Sequence, residues 1–132
     1  MKSWALITGA STGIGKELCY LFAKDNINLI LCSRNEMKLS ILAKELSENF
    51  SIEVFIFPCD LASENGAFNL VQFIQQKNLS LDFLVNNAGV GTHGAFHSIP
   101  WFEEQRMIQL NITSLTYVLK SFIPEMLKRK KG

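Results

Sequence analysis

Four short apolar runs alternate along the chain with four stretches whose apolar residues recur at helical spacing. The first run, Trp4-Ala5-Leu6-Ile7, leads through a glycine-rich turn to Ile14, Leu18, Leu21 and Phe22, one helical stripe that Asp25-Asn26 ends. Ile27 to Cys32 is nearly all apolar, as a strand buried on both faces reads. After the turn Ser33-Arg34-Asn35, a second helix places Leu39, Leu42 and Leu46 on one face. Ile52 to Phe57 forms a third strand, stopped by Pro58-Cys59-Asp60. Ser63 is then suited to cap a helix with Ala67, Leu70, Val71 and Ile74 on its apolar side. Leu81 to Val85 is the fourth strand, and a loop containing Gly91 and Gly94 leads to Pro100, a good first residue for a helix. The last segment, about thirty residues by its pattern, carries Ile108, Ile112, Leu115, Leu119, Phe122 and Met126 on one stripe, and Pro124 should kink it or end its regular part early.

Apolar strands alternating with helices predict an α/β fold, a Rossmann-like doubly wound parallel sheet with helices on both faces. No linker, repeat or low-complexity tract divides residues 1–132, so they form one unit. The turn Thr8-Gly9-Ala10-Ser11-Thr12-Gly13-Ile14-Gly15 then lies outside the carboxyl ends of the strands, where such sheets bind ligands. Gly9 would permit the tight turn, Gly13 the approach of backbone to a phosphate, and Gly15 close packing of helix on sheet. A phosphate loop of the GxxxxGK[ST] type is excluded: Gly9 to Gly15-Lys16 is one residue too long, and Glu17 stands where a hydroxyl is needed.

Composition narrows the partners. A net charge of +1 announces no basic face for nucleic acid, and Lys128-Arg129-Lys130-Lys131 reads as a solvated helix end. Cys19, Cys32 and Cys59 are odd in number and sit in apolar segments, as buried thiols of a reducing compartment do. No apolar run is long enough for a membrane span or a signal-peptide core, so a cytoplasmic location is expected. His93 and His97 lack a third ligand, and no metal is expected.

Four features in order resemble the short-chain dehydrogenase/reductases over the whole chain. Thr8 to Gly15 matches the family's TGxxxGxG cofactor turn, Asn86-Asn87-Ala88-Gly89 the motif closing its fourth strand, and Asp60 and Asn111 two further positions. The resemblance implies an oxidoreductase interconverting a carbonyl and an alcohol by hydride transfer. Thr8, Gly9, Ser11, Gly13, Ile14 and Gly15 would form the pyrophosphate turn, and Asp60 would accept from the adenine amino group. Asn87, Ala88 and Gly89 would line the cofactor ribose and steady the sheet, and Asn111 would support the proton relay by holding a water. Where NAD enzymes carry a carboxylate at the end of strand 2, this chain has Ser33 and Arg34, which favours NADP(H) through a charge-assisted contact to the 2′-phosphate.

The family also needs a serine after a fifth strand and a Tyr-x-x-x-Lys on the next helix, and the sequence stops at Gly132, before either position. Tyr20 and Lys24 have that spacing but lie on the first helix, which runs away from the cofactor, so they are not the catalytic pair. The resemblance therefore implies a fold truncated after the fourth strand and the long helix, inactive alone. In the family's strand order 3-2-1-4-5-6-7, Leu81 to Val85 would become an apolar edge open to pairing. Family members pair through the long helix, so a complete chain would be a homo-oligomer acting on a small carbonyl or alcohol. The rival reading is a non-catalytic module that binds a nucleotide or a partner.

Overall fold

The computed structural model describes residues 2–132. Four parallel strands, β1 (Trp4–Thr8), β2 (Asn28–Ser33), β3 (Val54–Pro58) and β4 (Phe83–Val85), form one sheet in the order β3-β2-β1-β4. This is the predicted doubly wound arrangement. Leu6 of β1 is in register with Ile30 of β2 and Leu84 of β4, and Ile30 in turn with Phe55 of β3. β1 starts at Trp4 as the apolar run suggests, whereas β2, β3 and β4 start one or two residues later than theirs, because the sheet register rather than the run of side chains decides where pairing begins.

Side-chain alternation splits the core in two. Ala5, Ile7, Leu29 and Leu31 face α1 (Gly13–Lys24) and α2 (Glu36–Asn49), whereas Leu6, Ile30 and Cys32 face α3 (Gly66–Gln76) and the last helix. All seven are fully buried, which is why the two central strands read as continuous apolar runs.

The helices depart from the sequence reading in four places. On α1 the buried residues are Gly15, Cys19 and Ala23, while Ile14 is 73% and Leu21 55% exposed. Small side chains at i, i+4 and i+8 let this helix lie close on the sheet, and no large residue fits between them. Ser63 does not cap α3: Asn65 precedes the helix, and Ser63 Oγ donates to the Asp60 carbonyl at 2.6 Å. The final segment begins after Pro100 as α4 (Trp101–Ile108), passes through a π-helical segment (Gln109–Ser114) and continues as α5 (Leu115–Arg129). The π segment shifts the inward stripe, so Ser114, Val118 and Phe122 are buried, while Ile108 and Ile112 face outwards. Pro124 does not end α5; it and Lys120, whose carbonyl loses its helical donor, are both exposed, so water can serve that carbonyl.

The cysteines are unbridged, Cys19 and Cys32 buried and Cys59 half-buried. No helix among the described residues is long and apolar enough to cross a membrane. The basic run at the end of α5 is partly neutralised, since Arg129 and Lys131 both reach Asp82.

A candidate dinucleotide site at the carboxyl ends of the strands

An open cleft of about 750 Å³ lies across the carboxyl ends of the strands. Gly9 and Ser11 of the first turn, Ser33 and Arg34 after β2, Asp60 after β3, and Ala88 and Gly89 after β4 all line it. These are seven of the thirteen residues singled out from the sequence, drawn together from four separate loops. Thr8, Asn87 and Gly15 lie beneath or behind them, Gly13 and Ile14 form the exposed start of α1, and Asn111 stands behind Gly89.

The first turn is held from below. Asn87 Nδ2 donates to the carbonyls of Thr8 at 3.1 Å and Gly9 at 3.2 Å. Thr8 Oγ1 accepts from the Ala88 N–H at 3.0 Å and donates to the Val85 carbonyl at 3.3 Å. The loops after β1 and β4 are thus one hydrogen-bonded unit.

Glycine is obligatory in that unit at Gly15, where a Cβ would sit 2.3 Å from the Gly9 carbonyl oxygen and 2.5 Å from Asn87 Nδ2. Gly13 has φ +54° and nothing within 4 Å of its would-be Cβ, so its backbone is open to the outside. The start of α1 has no side-chain cap and no acidic residue in its first turn. Its N–H groups and positive dipole end are therefore left for an external anion.

At the end of β2, Asn35 caps α2 by accepting from the Lys38 N–H at 3.0 Å, and Arg34 projects from the turn. Arg34 and Lys38 both line the cleft and are exposed, and neither is ion-paired among the described residues. Ser33 Oγ is buried there without a hydrogen-bond partner. An orphaned hydroxyl beside two free cations fits a ligand rich in oxygen. Lys38, four residues after Arg34, was overlooked in the sequence because it reads as an ordinary polar position of a helix.

Asp60 Oδ1 accepts from the Ala62 N–H at 2.9 Å, and Oδ2 meets Arg106 Nη2 of α4 at 2.9 Å. Partial burial would raise the Asp60 pKa, but Arg106, the Ala62 N–H and the charge of Arg34 together hold it below the ordinary carboxylate value. Nothing in the sequence links residues 60 and 106, and Arg106 was missed.

Asn111 lies in the π segment and pairs its side chain with one residue. Its Nδ2 donates to the Val90 carbonyl at 2.7 Å, and its Oδ1 accepts from the Val90 N–H at 3.0 Å. Asn111→Ala is expected to speed hydrogen exchange at the Val90 amide by about tenfold, the effect of losing about 1.4 kcal/mol of local hydrogen bonding. Exchange measured by NMR checks this.

Tyr20 packs half-buried against the α1–α2 side of the core. Burial and the nearby Glu45 carboxylate push its hydroxyl up to about 12, the wrong direction for acid–base work at neutral pH.

A parallel sheet of this order, with a glycine turn, an uncapped helix and a cleft at its switch point, defines an α/β protein of the Rossmann type, its cleft lying where such sheets take their ligands. Residues 3–132 match the short chain dehydrogenase family, and the chain belongs to it. It is 35% identical over 133 residues to a very-long-chain 3-oxoacyl-CoA reductase-like protein of Arabidopsis thaliana, covering 98% of this chain and 42% of that protein. The human protein called inactive hydroxysteroid dehydrogenase-like protein 1 is 31% identical over 137 residues, covering 98% and 39%. Among solved structures, a short-chain dehydrogenase from Sphingobium yanoikuyae in complex with NADPH superposes with a TM-score of 0.91 at 29% identity, covering 98% of this chain and 51% of that one. The chain thus spans about half the length, or less, of these relatives.

Proposed function

We propose that this chain is the cofactor-binding part of an NADP(H)-dependent oxidoreductase that interconverts a carbonyl and an alcohol. The observation that carries the cofactor choice is the end of β2, where Ser33, Arg34 and Lys38 line the cleft, Ser33 Oγ is left without a partner, and the strand ends in Ser33-Arg34 rather than in a carboxylate. A carboxylate there would repel a 2′-phosphate; a guanidinium attracts it. Gly9, Ser11, Gly13, Ile14 and the first turn of α1 would hold the pyrophosphate. Asp60 would receive the adenine amino group, and Ala88 and Gly89 would border the ribose nearer the reacting end. Bound in this way, the cofactor supplies a hydride. Asn111 would support the proton relay from beside Val90, whose backbone its side chain holds.

These 132 residues contain no Tyr-x-x-x-Lys except Tyr20 to Lys24, and Tyr20 packs into the core away from the cleft. The second reading is a nucleotide-binding module without catalysis, which a relative bearing the word inactive in its name favours. Self-association through the long helix would cover its outward apolar residues Ile112, Ile123 and Leu127.

Calorimetric titration with NADPH and NADH tests the cofactor choice. NADPH should bind at least about tenfold more tightly than NADH, and Arg34→Ala should weaken NADPH alone by about 10- to 100-fold, the range of one charge-assisted phosphate contact. Equal affinity for the two cofactors, or equal weakening of both, would overturn it.

A further inference from the structure

We propose that Arg106 is a positioning residue for purine recognition: it holds Asp60 so that the carboxylate presents only acceptors to the 6-amino edge of adenine. The inference rests on the dinucleotide reading above and adds a determinant on α4, a helix that lines the cleft with Phe102, Glu103 and Arg106.

Asp60 is fixed from three directions. Its main-chain carbonyl accepts from the Ser63 N–H at 3.0 Å and Ser63 Oγ at 2.6 Å, and Gly66 packs so closely that a Cβ would lie 2.3 Å from that oxygen. Its Oδ1 takes the Ala62 N–H and its Oδ2 the Arg106 guanidinium, each at 2.9 Å. Arg106 is steadied in turn by the ring of Phe102, one helical turn earlier, 5.8 Å from the guanidinium carbon.

Both partners are about one-third exposed, 32% for Arg106 and 35% for Asp60, so the pair is open to the cleft rather than sealed from it. An ionised carboxylate has about four lone-pair sites. Two are occupied here, and each oxygen keeps one for an incoming donor.

An acceptor-only group matches an exocyclic amine and repels a carbonyl oxygen at the same ring position. A protonated Asp60 would instead carry one O–H and could serve a 6-oxo purine. Asp60 is ionised at neutral pH with or without Arg106, since the ordinary carboxylate pKa of about 4 is already low, so what the arginine adds is orientation: it fixes Oδ2 while the Ala62 N–H fixes Oδ1. The other charged groups around the carboxylate are Arg34 from the turn after β2, with Lys38 and Glu103 lining the same cleft. Arg34 lies where the 2′-phosphate contact is assigned, so its charge is shared with the ligand, whereas Arg106 is committed to Asp60.

The test compares NADPH with reduced nicotinamide hypoxanthine dinucleotide phosphate, which has a 6-oxo group and an N1–H in place of the 6-amino group and bare N1, by calorimetry on the full chain and on Arg106→Gln and Arg106→Lys. The native chain should prefer the amino cofactor by about tenfold, one well-placed hydrogen bond's worth. Arg106→Gln should bring that ratio close to one and move the Asp60 carboxyl titration, read by carbon NMR, upwards; Arg106→Lys should restore both. Equal weakening of the two cofactors in Arg106→Gln with the ratio kept would mean a merely structural arginine and would overturn the inference alone. Failure of the native chain to bind NADPH at all would overturn the dinucleotide reading and this inference with it. Should Arg106→Gln not fold, the ratio in Arg106→Lys and the Asp60 midpoint of the native chain decide: no native preference, or a midpoint at the ordinary carboxylate value, overturns it.

Discussion

Gly15→Ala is expected to destabilise the chain by about 3 kcal/mol, while Gly13→Ala costs only about 1 kcal/mol but removes nucleotide binding. The two glycines share a turn but not a constraint. A methyl group on Gly15 would overlap the Gly9 carbonyl and the Asn87 amide, neither of which can retreat, because Asn87 is bonded to that carbonyl and to Thr8. Overpacking of that kind costs about 1–3 kcal/mol, and each displaced Asn87 hydrogen bond adds about 1 kcal/mol. Gly13 has no neighbour to meet, so Gly13→Ala costs only the left-handed backbone strain at φ +54°, partly offset by a stiffer unfolded chain. Its methyl would project in front of the uncapped helix start, where a phosphate has to approach. Urea denaturation of both variants beside NADPH titration separates the effects. If Gly13→Ala bound NADPH normally, the pyrophosphate could not lie against this turn.

The division between legible and hidden features follows from how local each one is. The strands could be read because β1 and β2 are buried on both faces, so composition alone marks Ala5 to Ile7 and Leu29 to Cys32. The glycine turn could be read because a backbone that must bend and approach closely leaves glycine little competition. The packing face of α1 could not, because helical periodicity favours large apolar residues, and here Gly15, Cys19 and Ala23 are the ones against the sheet. The π segment shifts the buried stripe of the last helix by a fraction of a turn, which no count of apolar residues at spacing 3.6 detects. Ion pairs between distant residues are wholly tertiary: the sequence places Asp60 in the turn after the third strand, and only folding brings Arg106 to it. The basic end of the chain reads as solvated, yet two of its four cations converge on one carboxylate.

That carboxylate, Asp82, should dominate the acid sensitivity of the fold. It immediately precedes β4, its side chain is 7% exposed, and it receives Arg129 Nη1 on Oδ1 at 2.9 Å and Lys131 Nζ on Oδ2 at 3.1 Å. Arg129 also donates to the Leu81 carbonyl and lies 3.2 Å from Glu125 Oε1, an ion-pair distance but out of line for a hydrogen bond. Lys130 takes the left-handed conformation at the end of α5, which turns Lys131 back towards the sheet. Burial would raise the Asp82 pKa, but hydrogen bonds from Ser3, Arg129 and Lys131 overcome it and hold the group at about 2. Because the folded value lies below the unfolded one, this stabilisation is complete above the unfolded pKa of about 4 and disappears as pH falls through about 2; it amounts to about 2 kcal/mol. Asp82→Asn should therefore unfold more easily than the native chain by about 2–3 kcal/mol at pH 7, and the gap should close as pH is lowered from 5 to 2. Urea midpoints of the two chains across that range measure it. A gap independent of pH would mean that shape, not charge, makes Asp82 important. The consequence reaches the cleft, since the same clamp holds the end of the helix whose π segment carries Asn111, and Asn111 in turn holds the Val90 backbone. Loosening at Asp82 should be felt there as faster Val90 exchange, a coupling carried along the helix that joins the two sites rather than by any contact between them.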